Sequence, residues 1–99
     1  MLEAGNYDIQ DLTGLEYCVN LSYLYLNSNN ISDISALVGL TNLRSLYLSG
    51  NNISDISPLV ENSGLSNGDR VDLRGSPLST TSMDVYIPQL EAKGVYVIY

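Results

Sequence analysis

Three aspartates recur at a constant interval, Asp11, Asp33 and Asp55, each 22 residues after the last. Such a column could hold calcium, but calcium needs several oxygens converging on one point, as in a DxDxDG loop. Here each repeat supplies one carboxylate, and no such loop is present. The surrounding "SDIS" instead places Ser32 or Asp33, and Ser54 or Asp55, where a side-chain oxygen caps a short helical turn. Asp8 and Asp11 could act as an acid–base pair, yet both have a turn or cap role open to them. There is no histidine, no nucleophile elbow and no phosphate-cradling glycine loop. An enzyme is therefore not expected, nor a cofactor or metal. The remaining chemistry is recognition. "YLYLNSNNISDIS", Tyr23 to Ser35, returns as "SLYLSGNNISDIS", Ser45 to Ser57, with three differences in thirteen positions. Each copy holds a tyrosine, Tyr25 or Tyr47, between two leucines.

The elements that carry these tyrosines follow from the spacing. Leu2, Leu24 and Leu46 align at 22 residues, as do Ile9, Ile31 and Ile53, and Leu15, Leu37 and Leu59. A period in the twenties specifies a solenoid. Beyond Leu59 the interval grows by three, so Leu46 matches Val71 and Leu48 matches Leu73. The added residues fall at Glu61, Asn62 and Ser63, read as a loop on the outer face because strand spacing tolerates no insertion. Alternation in "LxL" makes each segment a short strand, with Leu24 and Leu26 inward and Tyr23, Tyr25 and Asn27 outward. The units run 1–20 (degenerate), 21–42, 43–67 and 68–99 (terminal unit and cap), all in a single domain. Leu21, Ile31, Ile34 and Leu37 also face inward. Cys18, aligned with Leu40, is read as a core residue.

These residues resemble a known family. "LSYLYLNSNNISDISAL" and "LRSLYLSGNNISDISPL" look like leucine-rich repeats of pattern LxxLxLxxNxI, of the bacterial internalin-like kind with 22-residue units. The resemblance covers Leu2 to about Leu78; the tail from Ser63 to Tyr99 looks like a closing segment of bacterial members. Tyr7 and Ser76 depart from the pattern at the asparagine position, and Gly68 replaces a core leucine. The resemblance implies an α/β solenoid with a short parallel concave sheet, irregular or 3₁₀ convex arms and a C-terminal helix–strand cap. It also implies that Asn29 and Asn51 sit inside the turns and bond neighbouring backbone, a task an amide's donor and acceptor suit, while Asn30 and Asn52 stay exposed.

In the arm of the third unit, Pro58 leaves room for only a brief 3₁₀-like turn. In the cap, Ser82 is a candidate N-cap, with Met83, Tyr86, Ile87 and Leu90 at helical spacing and Gly94 as the stop. Pro88 either kinks one helix or starts a second. "VYVIY", Val95 to Tyr99, reads as the last parallel strand. Leu2 and Ala4 already occupy strand positions, so no N-terminal cap is visible and a domain continuing in a larger protein is expected.

The outward side chains then stack into three columns: Glu3, Tyr25, Tyr47, Asp72 and Tyr96 centrally; Tyr23, Ser45 and Arg70 on one flank; Asn27, Ser49, Arg74 and Ile98 on the other. Tyrosine and arginine mark protein-binding surfaces, so Tyr23, Tyr25, Asn27, Tyr47, Arg70, Asp72, Arg74 and Tyr96 form the candidate face for a protein ligand. Stacked tyrosines also stabilise a sheet by roughly 0.2–1 kcal/mol per pair, so binding and purely structural stacking both stand. A spacer or adhesin segment with no ligand of its own is the alternative, and tyrosines packed flat on one another would favour it; a glycan on the tyrosine row is another. The net charge of −7 disfavours nucleic acid and anionic membrane surfaces. No stretch approaches the roughly 20 apolar residues of a membrane span. "MLEAGNYDIQ" lacks the basic and apolar regions of a signal peptide, so an extracellular or cell-surface setting rests on the resemblance alone.

Overall fold

The computed structural model describes residues 1–99. Five short strands make one parallel sheet in chain order: β1 (Leu2–Glu3), β2 (Tyr23–Tyr25), β3 (Ser45–Tyr47), β4 (Arg70–Asp72) and β5 (Tyr96–Ile98). The register pairs Leu2 with Leu24, Leu24 with Leu46 and Leu46 with Val71, as the repeat interval requires. Successive strands are joined by the same bond one residue past the central column. The N–H groups of Ala4, Leu26, Leu48 and Leu73 donate to the carbonyls of Tyr25, Tyr47, Asp72 and Ile98 at 2.7–2.8 Å. Opposite the sheet lie the arms: 3₁₀ turns at Leu15–Tyr17 and Ser35–Leu37, then the helix α1 (Ser57–Glu61). Between the two layers sit the leucines and isoleucines of the repeat, with Leu24, Ile31, Leu37, Leu46, Ile53, Ile56 and Leu59 wholly buried. Stacking creates this core, because a single unit cannot cover its own leucines.

The turns after β2 and β3 are closed by asparagine. The Asn29 amide donates to the carbonyls of Ala4 (2.9 Å) and Leu26 (3.0 Å) and accepts from the N–H groups of Tyr7 and Ile9, both at 3.0 Å. Asn51 repeats this one unit later, donating to Leu26 and Leu48 at 2.9 Å and accepting from Ile31 N–H at 3.1 Å. Asn30 and Asn52 are exposed. In the fourth unit Ser76 stands in with its hydroxyl, which accepts from Ile53 N–H at 3.3 Å.

Several expectations are corrected. The inserted residues form no loose loop: Asn62 is fully buried and donates to Leu37 O (2.8 Å) and Leu40 O (3.1 Å), while accepting from Gly64 N–H (2.9 Å). Asn62 thus serves the convex layer as Asn29 and Asn51 serve the turns. Just beyond it, Gly64 runs so close to the preceding unit that a Cβ would lie 1.9 Å from Thr41 O. The Pro58 arm is a five-residue α-helix, not a brief 3₁₀ turn, because proline in the first helical turn removes no bonded N–H.

The cap is one helical segment, opened by Thr80 and Thr81, widened into a π-turn at Ser82–Tyr86 and continued as α2 (Ile87–Ala92). The wide turn, in which Ile87 N–H reaches back to Ser82 O, precedes Pro88 and absorbs its missing donor. It also shifts the helical phase, so Met83 is exposed while Ser82, Ile87 and Leu90 are buried. Ser82 is therefore not the N-cap. Ser79 is, its hydroxyl accepting from Ser82 N–H at 3.1 Å. Ser82 instead ties the cap to the stack, donating to Ser54 O (2.7 Å) and accepting from Ile56 N–H (3.2 Å).

The first unit is the other departure. Cys18 is exposed, although its counterpart Leu40 is wholly buried. Leu2 is 37% exposed where Leu24 and Leu46 are at 0%. Only one neighbouring unit packs on this end, so its inward positions line an open hollow of about 280 Å³ with Leu2, Ala4, Ile9, Leu12, Leu15 and Cys18.

Two measurements check this packing. Leu46→Ala is expected to lower stability in urea by about 2–5 kcal/mol, and an unchanged midpoint would place the inward face elsewhere. Asn51→Ala and Asn62→Ala are each expected to cost at least ~1 kcal/mol by stranding buried carbonyls, and Asn52→Ala clearly less. Equal losses across the three would remove the role given to the buried amides.

Candidate functional site

The face opposite the core is where side chains of alternate strand residues gather. Its central column is Glu3, Tyr25, Tyr47 and Asp72, and β5 adds Ile98. Tyr96 pairs instead with Arg70 and lies on the flank with Tyr23 and Ser45. The expected placement of Tyr96 and Ile98 is thus wrong by two residues. Alternation correctly gave the face of β5, but the 22-residue interval cannot be carried across a helix that replaces the usual arm.

Tyr25 and Tyr47 are half-buried and lie flat on one another, ring centroids 4.7 Å apart and planes 5° apart. The strand register brings equivalent residues to the strand spacing of about 4.8 Å, so the rings stack because their backbones are so spaced. Tyr23 and Tyr96 are freer, at 42% and 60% exposure. The Arg70 guanidinium lies over the Tyr96 ring, 5.2 Å from its centroid, a cation–π arrangement. Asn27 is half-buried at the edge of a shallow hollow with Glu3, Gly5, Tyr7 and Tyr25; its Oδ1 is buried without a partner.

Asp72 and Arg74 act together. The Arg74 Nε and Nη2 donate to the Asp72 carboxylate at 3.1 and 2.7 Å, and Arg74 N–H adds a bond at 3.1 Å. The aspartate side chain is 4% exposed and the arginine 63%. Asp72 is therefore the anchor of Arg74 and offers no contact area of its own. The Arg74 hydrogen bonds hold the Asp72 carboxyl below its ordinary range, against the opposing effect of burial.

The aspartate column is occupied by turns. Asp33 Oδ1 accepts from Ser35 N–H and Asp55 Oδ1 from Ser57 N–H, both at 2.9 Å, and Asp11 accepts from the amide and hydroxyl of Thr13. These bonds lower the Asp11 and Asp33 carboxyls below the usual range. At each turn the aspartate, not the serine, makes the bond, but from one residue before the N-caps Ile34 and Ile56, so it closes the turn leading into the helix and is not itself the cap. Asp8 bonds Asn30 Nδ2, so it too has a structural partner.

A family model for leucine-rich repeats, spanning two copies, matches residues 19–67. Among solved structures, internalin C2 of Listeria monocytogenes superposes with a TM-score of 0.74 at 28% identity, over 93% of this chain and 37% of that one. Internalin F of the same organism gives 0.61 at 34% identity, over 77% and 28%. Residues 19–67 are leucine-rich repeats, and the chain is internalin-like in fold. No curated protein matches it significantly. The chain spans much less than half of either internalin. An internalin-like fold of this kind generally serves protein interaction and is typically non-enzymatic. No helix of this internalin-like chain is long and apolar enough to cross a membrane.

The Asp72–Arg74 pair generates a pH prediction. Because the folded state depresses the Asp72 carboxyl, folding favours its ionised form. The resulting stabilisation is present above the ordinary aspartate value of about 3.9 and is lost as pH falls through the lower folded value. Arg74→Ala is expected to melt below the parent at neutral pH, with the gap closing as the solution is acidified through that window. A gap independent of pH would assign the arginine a packing role instead.

Proposed function

We propose that this chain is a non-catalytic protein-interaction module that uses its concave face, in the setting of a bacterial surface or secreted protein. The observation that carries the proposal is the flanking row of Tyr23, Arg70 and Tyr96. These are large side chains, well exposed, on an open sheet whose backbone is fixed by the units on either side. Tyrosine and arginine give much contact area with few torsions left to freeze. The likeness to internalins supports the setting.

The flat Tyr25–Tyr47 stack favours a second reading, that of a spacer segment with no ligand of its own. Two rings that cover each other have less face to offer a partner. In the interaction reading the stack is a floor, and the flank makes the contacts.

The two readings separate by mutation. Tyr25→Ser with Tyr47→Ser is expected to cost no more than ~1 kcal/mol in urea. Tyr23→Ser with Tyr96→Ser is expected to leave stability nearly unchanged and to weaken capture of a partner from bacterial and host extracts by tenfold or more, on the order of 2 kcal/mol per central aromatic anchor. A flank double variant that captures the same partners as the parent would leave the spacer reading standing. A loss of several kcal/mol from the Tyr25/Tyr47 variant would assign those rings to the core.

A further inference from the structure

Two of the few cations of an acidic protein sit together at the β4 side of the concave face, beside Asp72, with Glu3 on the far strand. The chain has eleven acidic residues, four basic ones and a net charge of −7. Two of the four cations, Arg70 and Arg74, lie on the same face of the β4 segment, one residue either side of Asp72 on that face. A third, Arg44, precedes β3, and its carbonyl receives the Arg70 N–H at 2.8 Å. Lys93 is the remaining one, and its ammonium is turned to the carbonyls of Val60 and Asn62 near the convex layer.

Arg74 is charge-paired within the chain and Arg70 is not. In a protein this acidic, the one ion pair joins Arg74 to Asp72. That pair uses the Nε and one Nη2 hydrogen of Arg74, so three of the five guanidinium hydrogens remain on a side chain 63% exposed. Arg70 has no carboxylate partner. Its guanidinium carbon lies over the Tyr96 ring, 5.2 Å from the centroid, on an exposed side chain. A guanidinium so placed is suited to take a carboxylate through two parallel hydrogen bonds. Asp72, the acid between them, already has its charge met by Arg74.

We infer that the concave face, around Arg70, Arg74 and Tyr96, receives an acidic segment of a protein partner, with glutamate or aspartate carboxylates on the two guanidinium groups. The inference rests on the interaction reading above and adds the partner's chemistry. Arg70 opens β4, and Arg74, in the turn just after it, folds its guanidinium back onto Asp72 at the end of that strand. A partner segment with two acidic side chains on one face can present a carboxylate to each guanidinium. Residues between them on the same face would lie toward Tyr47, which precedes Asp72 in the central column. Nucleic acid does not fit: four cations on a chain of net charge −7 supply too little positive field for a phosphate backbone.

The test uses two synthetic extended peptides. One carries glutamates four residues apart with tyrosine and leucine between them; the other is identical with glutamine at each glutamate. The parent protein is expected to bind the glutamate peptide at least tenfold more tightly in fluorescence anisotropy, to shift the Arg70 and Arg74 Nε–H resonances, and to weaken in ~0.5 M salt as screened charges require. Arg70→Gln, at an exposed side chain, is expected to melt as the parent does and to bind tenfold more weakly. Lys93→Gln, on the other side of the molecule, is expected to bind as the parent. The inference is overturned if the glutamine peptide binds as tightly, if Arg70→Gln binds like the parent, or if neither peptide binds. Equal binding of both peptides that is lost in the Tyr23→Ser/Tyr96→Ser variant would remove the acidic requirement alone and leave the concave face as the contact surface. Failure of that tyrosine variant to affect capture from extracts tells against the interaction reading itself.

Discussion

A repeat only 22 residues long leaves its turns buried between neighbours, and a buried turn must find partners for every peptide group it turns away from the sheet. This constraint organises the molecule. Asn29 meets it by bonding backbone on both sides of itself, in its own unit and in the one before. Asn51 does the same one unit later. The leucine core is favourable only once units are stacked at the strand spacing, and the amides make that spacing compatible with satisfied backbone. Hydrophobic burial drives the stack, while the asparagines decide which stack is reached.

The same need is met by different chemistry wherever the repeat changes. Where the third unit lengthens, Asn62 takes the carbonyls of Leu37 and Leu40. Where the asparagine is absent from the fourth unit, the Ser76 hydroxyl takes one N–H, and Ser82 reaches from the cap to the Ser54 and Ile56 backbone. These substitutes explain how far the sequence could be read. Strands, register and inward leucines of the middle units are dictated by an interval that nothing interrupts. The task of Asn62 was hidden because it belongs to no repeat position, although an asparagine in an insertion otherwise read as a loop is itself a clue. Ser82 sits at a plausible N-cap by spacing, but the helix opens two residues earlier at Thr80 and takes Ser79 as its cap, which leaves Ser82 inside the first turn. Cys18 was misplaced for a different reason: alignment with Leu40 transfers position, but burial depends on having a neighbour on both sides.

The concave face shows the same division. That Tyr25 and Tyr47 would be adjacent follows directly from their spacing, and strand geometry then brings the rings into a flat stack. The burial of Asp72 under Arg74 and the seat of Arg70 over Tyr96 depend on side-chain reach and on the register of β5, neither of which periodicity specifies. The result is a surface with a stiff aromatic floor and a more exposed cationic edge. A floor of this kind fixes the height at which a partner must sit. Under the interaction reading proposed above, this edge is what would select among partners, because charge discriminates where shape alone is permissive.

The inequality between the two ends bears on how the stack opens. The last unit is clamped by the cap through Ser82 and by the bonds from β4 to β5, whereas Leu2 and Cys18 at the first lack a second neighbour. The strand pairings join residues about one repeat apart, so no large loop must close before order can spread. Order in such a chain can nucleate in any unit and spread to its neighbours. Opening the stack at the capped end requires Ser82 to leave the Ser54 and Ile56 backbone as β5 leaves β4.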